Sequence, residues 1–357
     1  MVHGIRTRDP SRFNAMGSLS SHSISRPSER RLVILCLTYS ASALLYAPKH
    51  YFDFLWIYVA SGVLTVVPAV GLVVVGLAFV KGRPAPLAYL KQAFGGQFLY
   101  MTWAIAVFIV SITAFTTWKY NIPALMPFYA DPYLAELERR LHGADAWMLL
   151  HQVLPTWCIY LIQPIYSTVW FTLWFGVVGY VAVWLEGPAR QRYFWSLALT
   201  MISIGTVLAT LLASVGPIFY DHFLGGTRFH DLRTALDSTR AGRQTLHYAV
   251  YLIESYRSGE SVFGSGISAM PSVHVAIAFL NALLFASHSR SIAAAGWAFA
   301  FIILLGSVYT GWHYAVDGYV SVVVVLVIWC LVSRALGLPV AGSPRRNDRF
   351  ATDPGAE

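Results

Sequence analysis

Apolar runs of roughly 20 residues recur along nearly the whole chain, and that length is what the hydrocarbon core of a bilayer demands of a helix. Candidate spans fall at 32–47, 54–80, 97–118, 157–185, 194–214, 271–287, 291–312 and 314–334. Charged residues make up only 12% of the chain and hydrophobic residues 57%, against about 25% charged in ordinary soluble domains. A soluble globular fold is excluded. The expectation is an all-α integral membrane protein.

The net charge of +8 fits nucleic acid, anionic lipid or orientation in a bilayer, and the positions of the basic residues decide among them. With the N-terminus in the cytoplasm, the inner segments are 1–31, 81–96, 186–193, 288–290 and the tail from 335. Those segments hold most of the 25 Lys and Arg residues, as the positive-inside rule requires. A nucleic-acid partner is therefore not expected. One outer loop, 215–270, resists the rule by carrying Arg228, Arg233, Arg240, Arg243 and Arg257. An anionic ligand is one reason for them, and a solvated loop is the other.

Residues 1–31 and 336–357 read as disordered cytoplasmic tails, the first preceding an uncleaved helix. Between them lie an N-terminal pair of spans over 32–96 and a six-helix domain over 97–335. Outer segment 119–156, with an amphipathic stretch from Leu134 to Leu141, reads as a cap in the interface. Cys36, Cys158 and Cys330 sit in apolar runs without a short repeated spacing, so neither a disulfide framework nor a cysteine metal site is expected.

Two motifs carry chemistry. In "SAMPSVHVAIAF", 268–279, Pro271 suits a first helical turn and Ser272 or Ser268 a cap, which places His274 where free amides and the helix dipole favour an anion. Asn281, seven residues on, continues a polar stripe facing the bundle. In "GSVYTGWHYAVDGY", 306–319, His313 and Asp317 are four apart, so on a continuous helix the carboxylate can hold one imidazole nitrogen. Tyr309 and Ser321 extend that stripe. An aspartate at a membrane boundary needs a partner, and His313 is the nearest.

These motifs open and close two antiparallel spans, 271–287 and 291–312, so both histidines belong at one face, the outer one. A carboxylate-held histidine can serve as a nucleophile, and a second histidine across a gap can serve as an acid. Arginines and helix amides would hold phosphate oxygens between them. That constellation suits phosphoryl transfer through a phosphohistidine with neither metal nor cofactor. Each motif alone also fits a structural hydrogen bond. A metal-dependent reading would use "YDHFLGGTRFHD", with His222 and His230 eight apart, which matches no standard zinc spacing. His142, His151, His247 and His288 read as ordinary interfacial residues.

The residues resemble the type-2 phosphatidic acid phosphatase superfamily, whose later motifs read Pro-Ser-Gly-His and Tyr-x-Gly-x-His-x-x-x-Asp. Here they are Pro271-Ser272-Val273-His274 and Tyr309-Thr310-Gly311-Trp312-His313 followed by Asp317. Three departures stand out. Val273 replaces the glycine, Ser307 stands where the superfamily has an arginine six residues before the second histidine, and no Lys-x6-Arg-Pro motif precedes them. "AMPSVH" and "HYAVD" are instead similar to the inositol phosphorylceramide synthase branch and its bacterial relatives, and "VGPIFYDH", 215–222, occupies the place of that branch's Gly-Pro loop.

The resemblance implies a six-helix bundle with two additional N-terminal helices. It implies His313 as nucleophile, Asp317 as its orienter, and His274 as acid for the leaving oxygen and then base for the incoming hydroxyl. Ser272 and the Val273 amide map to phosphate contacts; Arg228, Arg243 and Arg257 are candidates by position alone. The partners are then a membrane phospholipid donor and a lipid acceptor, and the location a bacterial inner membrane with the site facing outward. A transferase of a phospho-headgroup such as phosphoinositol, a lipid or polyprenyl phosphate phosphatase using water, and a non-catalytic lipid-binding protein are the three functions to separate.

Overall fold

The computed structural model describes residues 27–62, scattered positions between 72 and 88, and residues 98–340. Residues 63–71, 73, 74 and 77 of the expected span 54–80 lie outside the described residues, as do most of both tails. Every regular element among the described residues is helical: α1 Pro27–Tyr46, α2 Pro48–Ser61, α3 Phe98–Tyr120, α4 Asp131–His142 and α5 Ala146–Val153; α6 Thr156–Trp184 and α7 Gly187–Leu211; then α8 Pro217–Phe223, α9 His230–Asp237, α10 Arg240–Ser258, α11 Val273–Ala286, α12 Arg290–Tyr309 and α13 Ala315–Ala335. Within α3, α6, α7, α12 and α13 lie the 5 segments long and apolar enough to cross a membrane among the described residues.

Helix α11 differs from the expected span 271–287. It has 14 residues, short of the roughly 20 a bilayer core requires, and its buried residues Val275, Ile277, Leu280 and Ala282 point in every direction round the axis. A helix apolar all round is a core helix. It is surrounded by α6, α7, α12 and α13, whose Trp170, Trp174, Ile303, Val325 and Trp329 share its core. Asn281 is buried and accepts a hydrogen bond from the Tyr193 hydroxyl at 2.8 Å, so the polar side chain two turns beyond His274 is satisfied inside the bundle.

Helix α6 absorbs Pro164 without breaking. A proline removes one helical N–H and crowds the preceding turn, and the next turn, Ile165–Val169, is wound as a π-helix. Such turns inside helices recur at functional sites, and Tyr166 lies in this one.

Across the mouth of the bundle the chain builds a second core from Leu134, Trp147, Phe219, Phe229, Leu232, Leu236 and Ile253. The 215–270 segment is therefore not a loose loop: α8, α9 and α10 fold there into a packed lid. Helix α1 also starts earlier than the expected tail boundary at residue 31, because Glu29 pairs with the buried Arg190 at 3.5 Å and Ser28 accepts from the Trp195 indole at 3.1 Å. Helices α1 and α2 pack mainly on α3.

Candidate active site

Ser272 caps α11, its hydroxyl accepting from the Val275 amide at 3.4 Å, while its own amide donates to the Asp317 carbonyl at 3.3 Å. The helix thus begins at Val273, and Pro271 precedes the cap instead of occupying the first turn. His274 sits in that first turn, among the amides a helix leaves without intrahelical partners. Its ring is stacked on Tyr166, centroids 4.4 Å apart at 15°, and lies against Trp170 at 4.1 Å. The Trp170 indole donates to the His274 carbonyl at 2.9 Å. Two aromatic faces and one backbone bond fix where the imidazole stands.

His313 and Asp317 do not share a continuous helix. Helix α12 ends at Tyr309, Gly311 takes φ +73° and α13 starts only at Ala315. A left-handed residue of this kind is nearly free for glycine and costly for others, and a Cβ there would run into Leu232. Asp317 is the third residue of α13 and accepts from the Tyr314 amide at 3.0 Å, a capping box. The expected pair still forms: His313 Nδ1 is 3.4 Å from Asp317 Oδ2. Its shorter bond, 2.7 Å, is to the Ala269 carbonyl. A carbonyl only accepts, so this bond puts the proton on Nδ1 and leaves a lone pair on Nε2.

Ala269 is the link between the two motifs. It lies three residues before Ser272, and its amide donates to the Ser214 carbonyl at 2.9 Å. Gly216, at φ +88°, brings the 214–217 segment against the Trp312 carbonyl, where a Cβ would approach within 2.6 Å. The Ile218 amide donates to the Gly311 carbonyl at 2.8 Å. The Gly216-Pro217 turn thereby presses the His313 loop toward α11. The His274 and His313 ring centroids end 6.1 Å apart, inclined at 59°.

The three arginines chosen by position are not among these contacts. Arg228 donates to Asp145 at 2.9 Å and to the Ala135 carbonyl at 3.1 Å. Arg243 donates to the Asp237 carbonyl at 2.7 Å, closing the end of α9. Arg257 donates to His222 Nε2 at 3.2 Å. Ser307 is fully buried, with its hydroxyl on the Leu304 carbonyl at 2.8 Å, so it supplies no charge at the position where the resembled motif has an arginine. Among the described residues, a cation within electrostatic reach of His274 is Lys119, in the last turn of α3. Sequence reasoning missed it, although the signal exists: Lys119 and Pro127 keep the spacing of the ends of Lys-x6-Arg-Pro, with Met126 at the arginine position.

His222 and His230 do not form a metal centre with their neighbours; among the described residues no three His, Cys, Asp or Glu side chains converge as ligands would. His151, read as interfacial, is stacked on Tyr309 at 4.0 Å and bonded to its carbonyl.

A family model described as the PAP2 superfamily matches residues 132–331. That stretch is more than half of the chain and contains both histidine motifs and the lid. No curated protein and no solved structure matches the chain.

Proposed function

The chain belongs to the PAP2 superfamily, whose chemistry is that of lipid phosphatases and phosphotransferases, and on that premise we propose that it transfers a phospho-headgroup from a glycerophospholipid to a lipid hydroxyl. His313 Nε2 attacks the phosphodiester phosphorus. The bond to the diacylglycerol oxygen breaks, and protonated His274 gives that oxygen its proton. The headgroup phosphate is then held on His313. An acceptor hydroxyl, such as that of a ceramide, loses its proton to the now neutral His274 and attacks phosphorus, and the N–P electron pair returns to Nε2. Lys119, the Ser272 cap and the Val273 amide are the donors this reading assigns to the phosphate oxygens, where oriented donors lower the barrier most.

The observation that carries this reading is the pair of imidazoles at 6.1 Å, one of them with its proton fixed on Nδ1. Transfer is favoured over hydrolysis by the walls: Tyr166 and Trp170 flank His274, and Phe219 packs on Trp312 beside His313 at 5.6 Å. Apolar rings exclude water and accept hydrocarbon. The branch-like sequences "AMPSVH" and "HYAVD" favour phosphoinositol as headgroup, and the positive-inside reading of the charges favours the outer face for the site.

Purified full-length protein given phosphatidylinositol, labelled in its phosphate, and ceramide should yield a labelled sphingolipid. Phosphate release from phosphatidic acid with no acceptor dependence would replace this reading by a phosphatase, and absence of both by a lipid-binding protein. Asp317→Asn should slow turnover by only about 10- to 100-fold, less than the ~10⁴-fold seen when a carboxylate is the sole orienter of a histidine. The reason is the Ala269 carbonyl, which holds Nδ1 more closely than Asp317 does.

A further inference from the structure

Helix α4 was expected as an interfacial cap, yet it turns two carboxylates inward, Asp131 and Glu138, exposed by 0% and 1%. They are seven residues apart and so lie on one face, two turns from each other. Asp131 accepts from the Ser214 hydroxyl at 2.9 Å, the Val215 amide at 2.9 Å, the Gly216 amide at 2.8 Å and the Tyr314 hydroxyl at 3.1 Å. Glu138 accepts from the Ala315 amide at 2.5 Å and the Ala146 amide at 3.2 Å. One carboxylate thus ties the Gly-Pro turn to Tyr314, and the other caps the first amide of α13.

We infer that Asp131 and Glu138 are positioning residues for His313, fastening from one helix the residues that follow the nucleophile and the turn that presses on it. This rests on His313 being the nucleophile. Neither carboxylate touches the reacting atoms, and among the described residues no cationic side chain is one of their hydrogen-bond partners. Their binding energy goes into the geometry of the 313–315 segment, where a displacement of about 1 Å can cost roughly 100-fold in rate.

Burial pushes the Glu138 carboxyl up to about 7 against the pull of the Ala315 and Ala146 amides, with Asp317 and Asp145 adding to the rise. Asp145 is itself paired with Arg228. His142, on the same helix, uses Nδ1 on the Glu138 carbonyl and Nε2 on Tyr319. The unfolded chain releases this proton near the ordinary value of 4.5, whereas the folded chain keeps it until about 7. Between those values the folded state binds more protons, so stability falls as pH rises through that window.

The test follows the pre-steady-state burst of phosphohistidine in full-length protein, quenched after mixing with phosphate-labelled phosphatidylinositol. Asp131→Asn and Glu138→Gln should lower the burst rate by about 10- to 100-fold, and Tyr314→Phe, which deletes one hydroxyl, by several-fold, with burst amplitude kept. A purely structural role lowers the amplitude at unchanged rate, and that result in all three variants would overturn the inference. No burst in the wild type would remove His313 as nucleophile and this inference with it. As a second readout, the decline of Tm between about pH 5 and 7 should flatten in Glu138→Gln; an unchanged decline would show that the carboxyl does not titrate in place.

Discussion

His313→Ala is expected to abolish headgroup turnover, by more than roughly 10⁴-fold, because a covalent route loses its first step when the nucleophile is removed. The variant should also leave no acid-labile phosphate on the protein. His313 is 6% exposed and donates to Ala269, so truncation strands a buried carbonyl at a cost of about 1–3 kcal/mol. His313→Asn is the better-folded companion, since its side-chain amide can still donate toward Ala269 but cannot form a stable phosphoramidate of the same kind. Both should be equally inactive. Turnover above about one per cent of wild type in a folded Asn variant, judged against that 10⁴-fold expectation, would remove His313 from the chemistry.

The membrane-spanning character and the two motifs were legible because each has a local signature: apolar runs of bilayer length, and histidines at fixed offsets from proline, glycine and aspartate. Geometry between elements was less so. The four-residue offset of His313 and Asp317 fits a helix face, but the same offset also fits a loop residue reaching the third position of the next helix. Gly311 was the one local clue, and its φ of +73° decides for the second arrangement. The run after Pro271 gave no sign that α11 is short and packed among four other helices, since a core helix and a lipid-facing one have the same apolar composition.

The lid shows the same limit. Arg228, Arg243 and Arg257 fit an anion site or a solvated loop equally well by charge pattern, yet Asp145, the Asp237 carbonyl and His222 occupy them. Those partners are distant in sequence or belong to the backbone, and neither kind can be seen in a charge pattern. Asp131 and Glu138 were hidden for the converse reason. In an amphipathic stretch with Glu136, Arg139 and Arg140, acidic residues read as the solvated face. Only the packing of α4 over the bundle mouth turns two of them inward. Lys119 was lost at a span boundary, where lysines are ordinary.

His274→Ala separates the two imidazoles by their roles. With phosphatidylinositol the leaving group is an alkoxide, which departs poorly without a proton, so turnover should fall by about 10²- to 10⁴-fold, the range general acid–base catalysis supplies. With an activated phosphodiester whose leaving group is p-nitrophenolate, no proton is needed at departure. The burst of p-nitrophenolate should then keep a rate within about ten-fold of wild type, while the second half-reaction stalls for want of a base. Phosphohistidine therefore accumulates in this variant, where His313→Ala shows none. The structure makes the outcome readable, because Tyr166 and Trp170 both pack against the His274 ring and its carbonyl is tied to the Trp170 indole. Removal of the ring leaves the His313 anchor on Ala269 and Asp317 in place. A burst slowed equally with both donors would assign His274 to holding the phosphate, and the proton to another group.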